Sequence, residues 1–326
     1  MKLGRVLTAT MVLAGALVAT ESWAVTAWKV PGHFPTIQAA IDSSHVHDGD
    51  IIDVYFRYRL AGATVTKAVT IRAVGPVTIS TGPYVNTLGK AGFLFPGGGQ
   101  GSGATITGFS FRGVAFPVFS RGANDVSVSH NTMWSPIQGV TSWANGHWGQ
   151  GWHIAYNAIW NTRTRCGGGL GILIGDYAGG RVTGNMVAHN AIRGIVHVPA
   201  TDCGGYDAPG VVLFADHRYP GDTGAVIEGN RVLKNRVDLV STRPALVDAT
   251  GVELADTRDL AAELDIHDNG VVYNDLRGTL VPLNLTPDEL STVNTIEGNL
   301  TGPVTGVPDA PARSARPSSA GAQPVR

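Results

Sequence analysis

The sequence predicts an all-β fold, built as a solenoid of short stacked strands, and three observations carry that prediction. Phrases of the form apolar-x-x-(Gly or polar)-Asn recur along the body of the chain, at residues 106–109, 126–131, 153–157, 182–185, 226–230, 264–269 and 295–299. Their closing residues, Phe109, Asn131, Asn157, Asn185, Asn230, Asn269 and Asn299, are spaced by 22, 26, 28, 45, 39 and 30 residues. A constant phrase separated by variable insertions is what stacked coils produce, because one side of a coil can lengthen while the others stay in register. Second β-rich runs at 171–174, 194–198, 210–214 and 251–254 are too short for helices. With 43 Gly among 326 residues and only 15% charged side chains, a long helical or coiled-coil protein is excluded.

Taken from the N-terminus, Lys2 and Arg5 precede an apolar run over 6–20 and then Ser22-Trp23-Ala24. That is the pattern of a signal peptide, residues 1–24, cut after about Ala24, and it predicts a secreted or periplasmic protein. No later stretch has 18 continuous apolar residues, so no membrane insertion is predicted. Residues 25–300 form the folded domain. At its start, residues 33–42 place Ile37, Ala40 and Ile41 on one face of a short helix. In the coils that follow, Gly and Asn supply the left-handed backbone that tight corners need. Stacked corners place Asn side chains one above another, able to hydrogen-bond as a ladder. Residues 301–326 are a Pro, Ala, Ser and Gly tract without apolar periodicity and read as a disordered tail.

The repeats, with the opening phrase His33-Phe-Pro-Thr-Ile-Gln-Ala-Ala-Ile-Asp42 and the following Asp48-Gly-Asp-Ile-Ile-Asp-Val54, resemble the right-handed parallel β-helix, or pectin-lyase-like, superfamily over residues 33–300. The resemblance implies a single right-handed parallel β-helix solenoid whose open end is capped by the short N-terminal helix. It also implies a carbohydrate-active protein, although the architecture hosts lyases, hydrolases, esterases, epimerases and non-catalytic proteins alike. The phrases diagnostic of galacturonan hydrolases, pectate lyases and pectinesterases are absent, so no catalytic role transfers residue by residue.

The candidate chemistry therefore rests on the repeat. Asp176, Asp216 and Asp256 each close an equivalent strand, 40 residues apart. Stacked strands would bring neighbouring aspartates to about 5 Å, and charges that close require a cation, a proton or hydrogen-bond donors. Three readings stay open: Asp176 and Asp216 holding Ca²⁺ beside a uronate, a pair of carboxylates working as acid and base on a glycosidic bond, or three caps of the turns that follow. Arg193, His197 and His217 are candidates for base and carboxylate clamp, with Arg218 as a substrate contact. Five of seven Trp fall between Trp134 and Trp160. Of these, Trp143, Trp148 and Trp152 are the candidates for meeting sugar rings, Trp143 and Trp148 from within a Gly-rich and Asn-rich loop, and the alternative is an aromatic stack filling the solenoid. Cys166 and Cys203, each followed by Gly-Gly, predict a disulfide stapling two loops into a wall beside Asp176 and Asp216.

With 24 Lys+Arg against 25 Asp+Glu there is no basic stripe for phosphates, and a nucleic-acid partner is excluded. The function these features point to is a secreted lyase or epimerase acting on a polysaccharide. The alternatives are a glycoside hydrolase using paired aspartates and a non-catalytic glycan-binding or surface-binding β-helix. Nothing in a solenoid forces an oligomer, so a monomer is the default.

Overall fold

A computed structural model describes residues 24–56, 60–217, 225–257 and 265–302. The signal-peptide and tail assignments fall, apart from their inner ends, outside the described residues. Nearly every described element is a β-strand, and every pairing between strands is parallel except Tyr84–Asn86 against Gly89–Phe95. Four sheets contain ten, seven, nine and four strands.

The chain visits these sheets in a fixed order. Ser127–Ser129 lies in the ten-stranded sheet, Thr132–Trp134 in the seven-stranded, Gln138–Trp143 in the nine-stranded and Trp148–Gln150 in the four-stranded. His153–Ala155 then returns beside Ser127–Ser129, in register Ser127 to His153. Each pass adds one strand to a sheet, as in a β-helix solenoid. Strands of three residues hold because the central one is apolar and faces inward. Val128, Ile154, Val187, Val232 and Val271 stack in the ten-stranded sheet, and Phe111, Met133, Ile159, Ile192 and Val237 in the seven-stranded, all essentially inaccessible. Each such side chain contributes about 1.5–3 kcal/mol by leaving water.

The corner asparagines form two hydrogen-bonded ladders where the sequence shows a single recurring phrase. Asn131, Asn157, Asn190, Asn235, Asn274 and Asn299 join the ten-stranded to the seven-stranded sheet. In each step the backbone N–H and Nδ2 of one donate to Oδ1 of the next at 2.9–3.1 Å. Asn185, Asn230, Asn269 and Asn294 do the same at the preceding corner, before the strands of the ten-stranded sheet, at 2.8–3.0 Å. The left-handed residue is the one before the ladder asparagine: His130, Tyr156, His189, Lys234 and Tyr273 all have φ between 54 and 57°. The asparagine side chain holds the corner and its predecessor absorbs the backbone strain.

Residues Ile37–Asp42 form the expected short helix, N-capped by the Thr36 hydroxyl, which accepts from Ala39 N at 3.0 Å. Its Ile37, Ala40 and Ile41 are buried against the first strands. The nine-stranded sheet departs from simple inside–outside alternation. Leu170–Asp176 and Val247–Asp256 are buried at every position, because Phe119, Trp143, Leu173, Val212 and Phe214 make a second apolar cluster on the outer face. No described helix is long and apolar enough to cross a membrane.

Candidate functional site

The three strands that end in Asp176, Ala215 and Asp256 are in register at those residues. Asp216 lies one residue further on, its N–H donating to Asp176 O at 2.9 Å. The constant spacing of 40 therefore does not give the expected column of three aspartates, because the insertions between the stacked strands are unequal. Asp176 is spent on two turns: Oδ2 accepts from Ala178 N at 2.9 Å and Gly180 N at 2.6 Å in its own, and Oδ1 accepts from Gly146 N at 2.9 Å in the previous coil.

A different group converges one coil later. The backbone N–H of His217 donates to the Thr257 hydroxyl at 2.7 Å, which draws the residue across the end of strand Val247–Asp256. His217 Nε2 then sits 2.8 Å from Asp265 Oδ2 and 3.4 Å from Asp256 Oδ1, while Asp256 Oδ2 accepts from Asp265 N at 3.0 Å. One ligand-type atom from each of the three residues lies within 4.8 Å of the others, and both carboxylates are buried. A proton on Nε2 would face these carboxylate oxygens and would leave the lone pair of a neutral ring at Nδ1. The same imidazole and two carboxylates could hold a divalent cation. One nitrogen donor suits a borderline ion such as Zn²⁺ better than the all-oxygen coordination of Ca²⁺. Arg218 lies outside the described residues.

The remaining candidates are elsewhere. Arg193 is on the outer face of the seven-stranded sheet, and His197, exposed, follows the end of the same strand, Ala191–Val196. Both therefore precede the nine-stranded sheet, whereas the aspartates follow it. Trp143 is 2% exposed and packs on Tyr177 and Phe214, and Trp152 is 1% exposed, its Nε1 donating to Ala123 O at 2.8 Å. Only Trp148 of the three, at 56%, reaches solvent, with the Arg181 guanidinium over its ring. The loop composition suggested exposure for Trp143 and Trp148, with Trp152 beside them as a sugar contact, but the outer cluster claims Trp143 and the solenoid interior Trp152. Comparison with known protein families, curated proteins and solved structures finds no match to this chain.

Cys166 and Cys203 form the expected disulfide. It joins two consecutive turns leading into the nine-stranded sheet, at the opposite end of the strands from Asp176 and Asp216, so it does not wall those residues. Asp202 organises this staple. Burial pushes its carboxyl up, but hydrogen bonds from the Tyr206 and Thr164 hydroxyls, Gly204 N and Cys166 N outweigh that and hold it below its usual 3.8. Tyr206 is raised by burial and by the same bond. A lowered carboxylate contributes stability that is complete above the unfolded-state value and lost as the pH falls through the folded one. Melting temperatures followed from pH 7 to pH 3 are therefore expected to fall less steeply below about pH 4 for Asp202→Asn than for the wild type. Equal slopes would remove Asp202 from the acid response.

Two features escaped sequence reasoning. Asp265 is four residues before ladder Asn269, where the preceding coils carry Arg181 and Val226, and aligning on the second ladder exposes it. Trp134 and Trp160 each stand three residues after a first-ladder asparagine. Both therefore point outward from the same sheet, and their rings stack at 5.9 Å and 16°.

Proposed function

We propose that the chain is an exported carbohydrate-active protein that acts on an acidic polysaccharide as a lyase or epimerase, with His217, Asp256 and Asp265 as its reaction centre. In this reading residues 25–300 are a single right-handed parallel β-helix of the pectin-lyase-like type, capped by the helix Ile37–Asp42. The convergence of one imidazole and two carboxylates where strand Val247–Asp256 ends is the observation that carries it. His217 takes the proton α to a uronate carboxylate, and Asp265 and Asp256 stabilise the imidazolium that forms. The electron pair of that C–H bond then either expels the β glycosidic oxygen, leaving an unsaturated uronide, or returns to a proton on the opposite face.

The test is incubation of the purified chain with a panel of polyuronates, following the ultraviolet absorbance of unsaturated product and the sugar configuration by NMR. Activity that falls at least about 100-fold in His217→Ala and Asp265→Asn, with melting temperature retained, is expected. Loss on adding EDTA, restored by Zn²⁺ or Ca²⁺, would assign the same three residues to a cation. Reducing ends without unsaturation would replace the lyase by a hydrolase working through the carboxylates. A second reading, a glycan-binding β-helix without catalysis, is favoured by Asp176 serving as a turn cap and by Arg193 lying on another sheet. Binding of a polyuronate without any product would establish that reading and reject the first.

A further inference from the structure

The outer face of the seven-stranded sheet carries a row that the reaction centre does not use. Arg112, Trp134, Trp160 and Arg193 occupy equivalent positions on four successive strands, in register Arg112 to Trp134 to Trp160 to Arg193. Their neighbours in sequence, Phe111, Met133, Ile159 and Ile192, fill the core, so alternation along each strand turns these four outward. The Arg112 guanidinium lies 4.6 Å over the Trp134 ring, and Trp134 stacks on Trp160. At about 4.8 Å per strand the two guanidinium groups bracket the indoles across about 14 Å.

The chemistry of this row differs from that of a sugar-stacking platform. Each inner indole face is covered by the other ring, and Arg112 covers the second face of Trp134. Apart from the Trp160 face turned toward the Arg193 rung, what the pair presents is ring edges, which carry the positive end of the aromatic quadrupole. Among the described residues neither indole N–H donates to a protein acceptor, and neither guanidinium is in an ion pair. Arg193 Nε is shielded from water without an acceptor, although Asp238 is its register partner on the next strand. Lys234 and Arg236, both exposed, extend the cationic character along the adjoining coil. A protein of formal net charge −1 has thus placed edge donors and several cations on one face, with Asp238 at one end of the row, while the His217, Asp256 and Asp265 group lies beyond the nine-stranded sheet.

We propose that this row is a separate binding strip for an extended anionic polysaccharide, its uronate carboxylates paired by Arg112 and Arg193 and its hydroxyls accepting from the indole N–H groups. The rung spacing is comparable with the rise of one pyranose in an extended chain. The Cys166–Cys203 disulfide fits an oxidising compartment, where acidic glycans are among the linear polyanions that a protein meets. The proposal does not depend on catalysis, because it uses none of the residues of the reaction centre.

The experiment is electrophoresis of the full chain through native gels containing polygalacturonate, glucomannan or no polymer, with single-stranded DNA as a competitor. Retardation by polygalacturonate alone is expected, weakening as salt is raised. Arg112→Gln/Arg193→Gln should weaken it at least about tenfold, whereas Lys29→Gln, which removes an exposed cation outside the row, should leave it unchanged. Trp160→Phe should keep the fold and lose an N–H, giving a smaller loss. Wild-type retardation equal to that of the double arginine variant, or absent altogether, would overturn the strip. So would equal retardation by glucomannan, or displacement by DNA at the same concentration as by polyuronate. A wild type that binds but yields no product would separate failure of the reaction from failure of this site.

Discussion

Asn190→Ala is expected to destabilise the fold by about 3–5 kcal/mol, read as a fall in melting temperature on the order of 10 °C and a lower urea midpoint. The side chain is 1% exposed and occupies the middle of the first ladder. Its Oδ1 accepts from both N and Nδ2 of Asn157 at 3.0 Å. Its Nδ2 donates to Ile154 O at 2.8 Å, Ala188 O at 3.1 Å and Asn235 Oδ1 at 3.0 Å. Alanine removes all of these and leaves the Asn157 N–H buried without its acceptor, at about 1–3 kcal/mol, with the lost bonds to Ile154, Ala188 and Asn235 adding the rest. The exposed corner substitution Lys234→Ala should stay within about 0.5 kcal/mol. A loss below about 1 kcal/mol for Asn190→Ala would mean that water replaces the ladder bonds and that the ladder sets register alone.

Gly171→Ala should be at least as damaging, for a steric reason. Gly139, Gly171, Gly210 and Gly251 each stand one residue before the paired Val140, Ile172, Val211 and Val252, so they form a column through four coils. A Cβ on Gly171 would lie 2.3 Å from the Gly210 carbonyl oxygen and 2.9 Å from two Ile192 carbons. The carbonyl belongs to a strand held on both sides and cannot retreat without opening the stack. A destabilisation above about 3 kcal/mol, or failure to fold, is therefore expected in chemical denaturation. Gly270 provides the control: nothing lies within 4 Å of its Cβ position and its φ is not in the left-handed region, so Gly270→Ala should be neutral or slightly stabilising. Similar losses at both sites would reject the close-approach explanation.

The legibility of this chain followed the range of each signal. The Asn-terminated phrases were readable because a corner needs the same donor and acceptor in every coil, whatever lies between. They also misled, since Asn157 and Asn185 look alike in sequence yet hold different corners, and the apparent repeat mixed two ladders. Trp143 and Trp152 failed as exposed platforms because local composition does not reveal that the nine-stranded sheet buries its outer face, which takes Trp143, or that Trp152 turns into the solenoid interior. Trp134 and Trp160 were visible as residues but not as a pair until they were counted from Asn131 and Asn157.

By itself the sequence determined the strand-rich, charge-poor body, the short helix at Ile37–Asp42, the stacking of corner asparagines and the pairing of Cys166 with Cys203. These depend on residue type and local period, which the chain carries in every coil. The tertiary structure alone decided which ionisable groups meet. Coil lengths of 33, 45, 39 and 25 residues, measured along the first ladder from Asn157, come from unequal insertions. Those insertions shift Asp216 by one residue relative to Asp176 and Asp256, and bring His217 against Asp265. A one-residue shift between stacked strands changes every side-chain neighbour, and only the register of the folded coils fixes it.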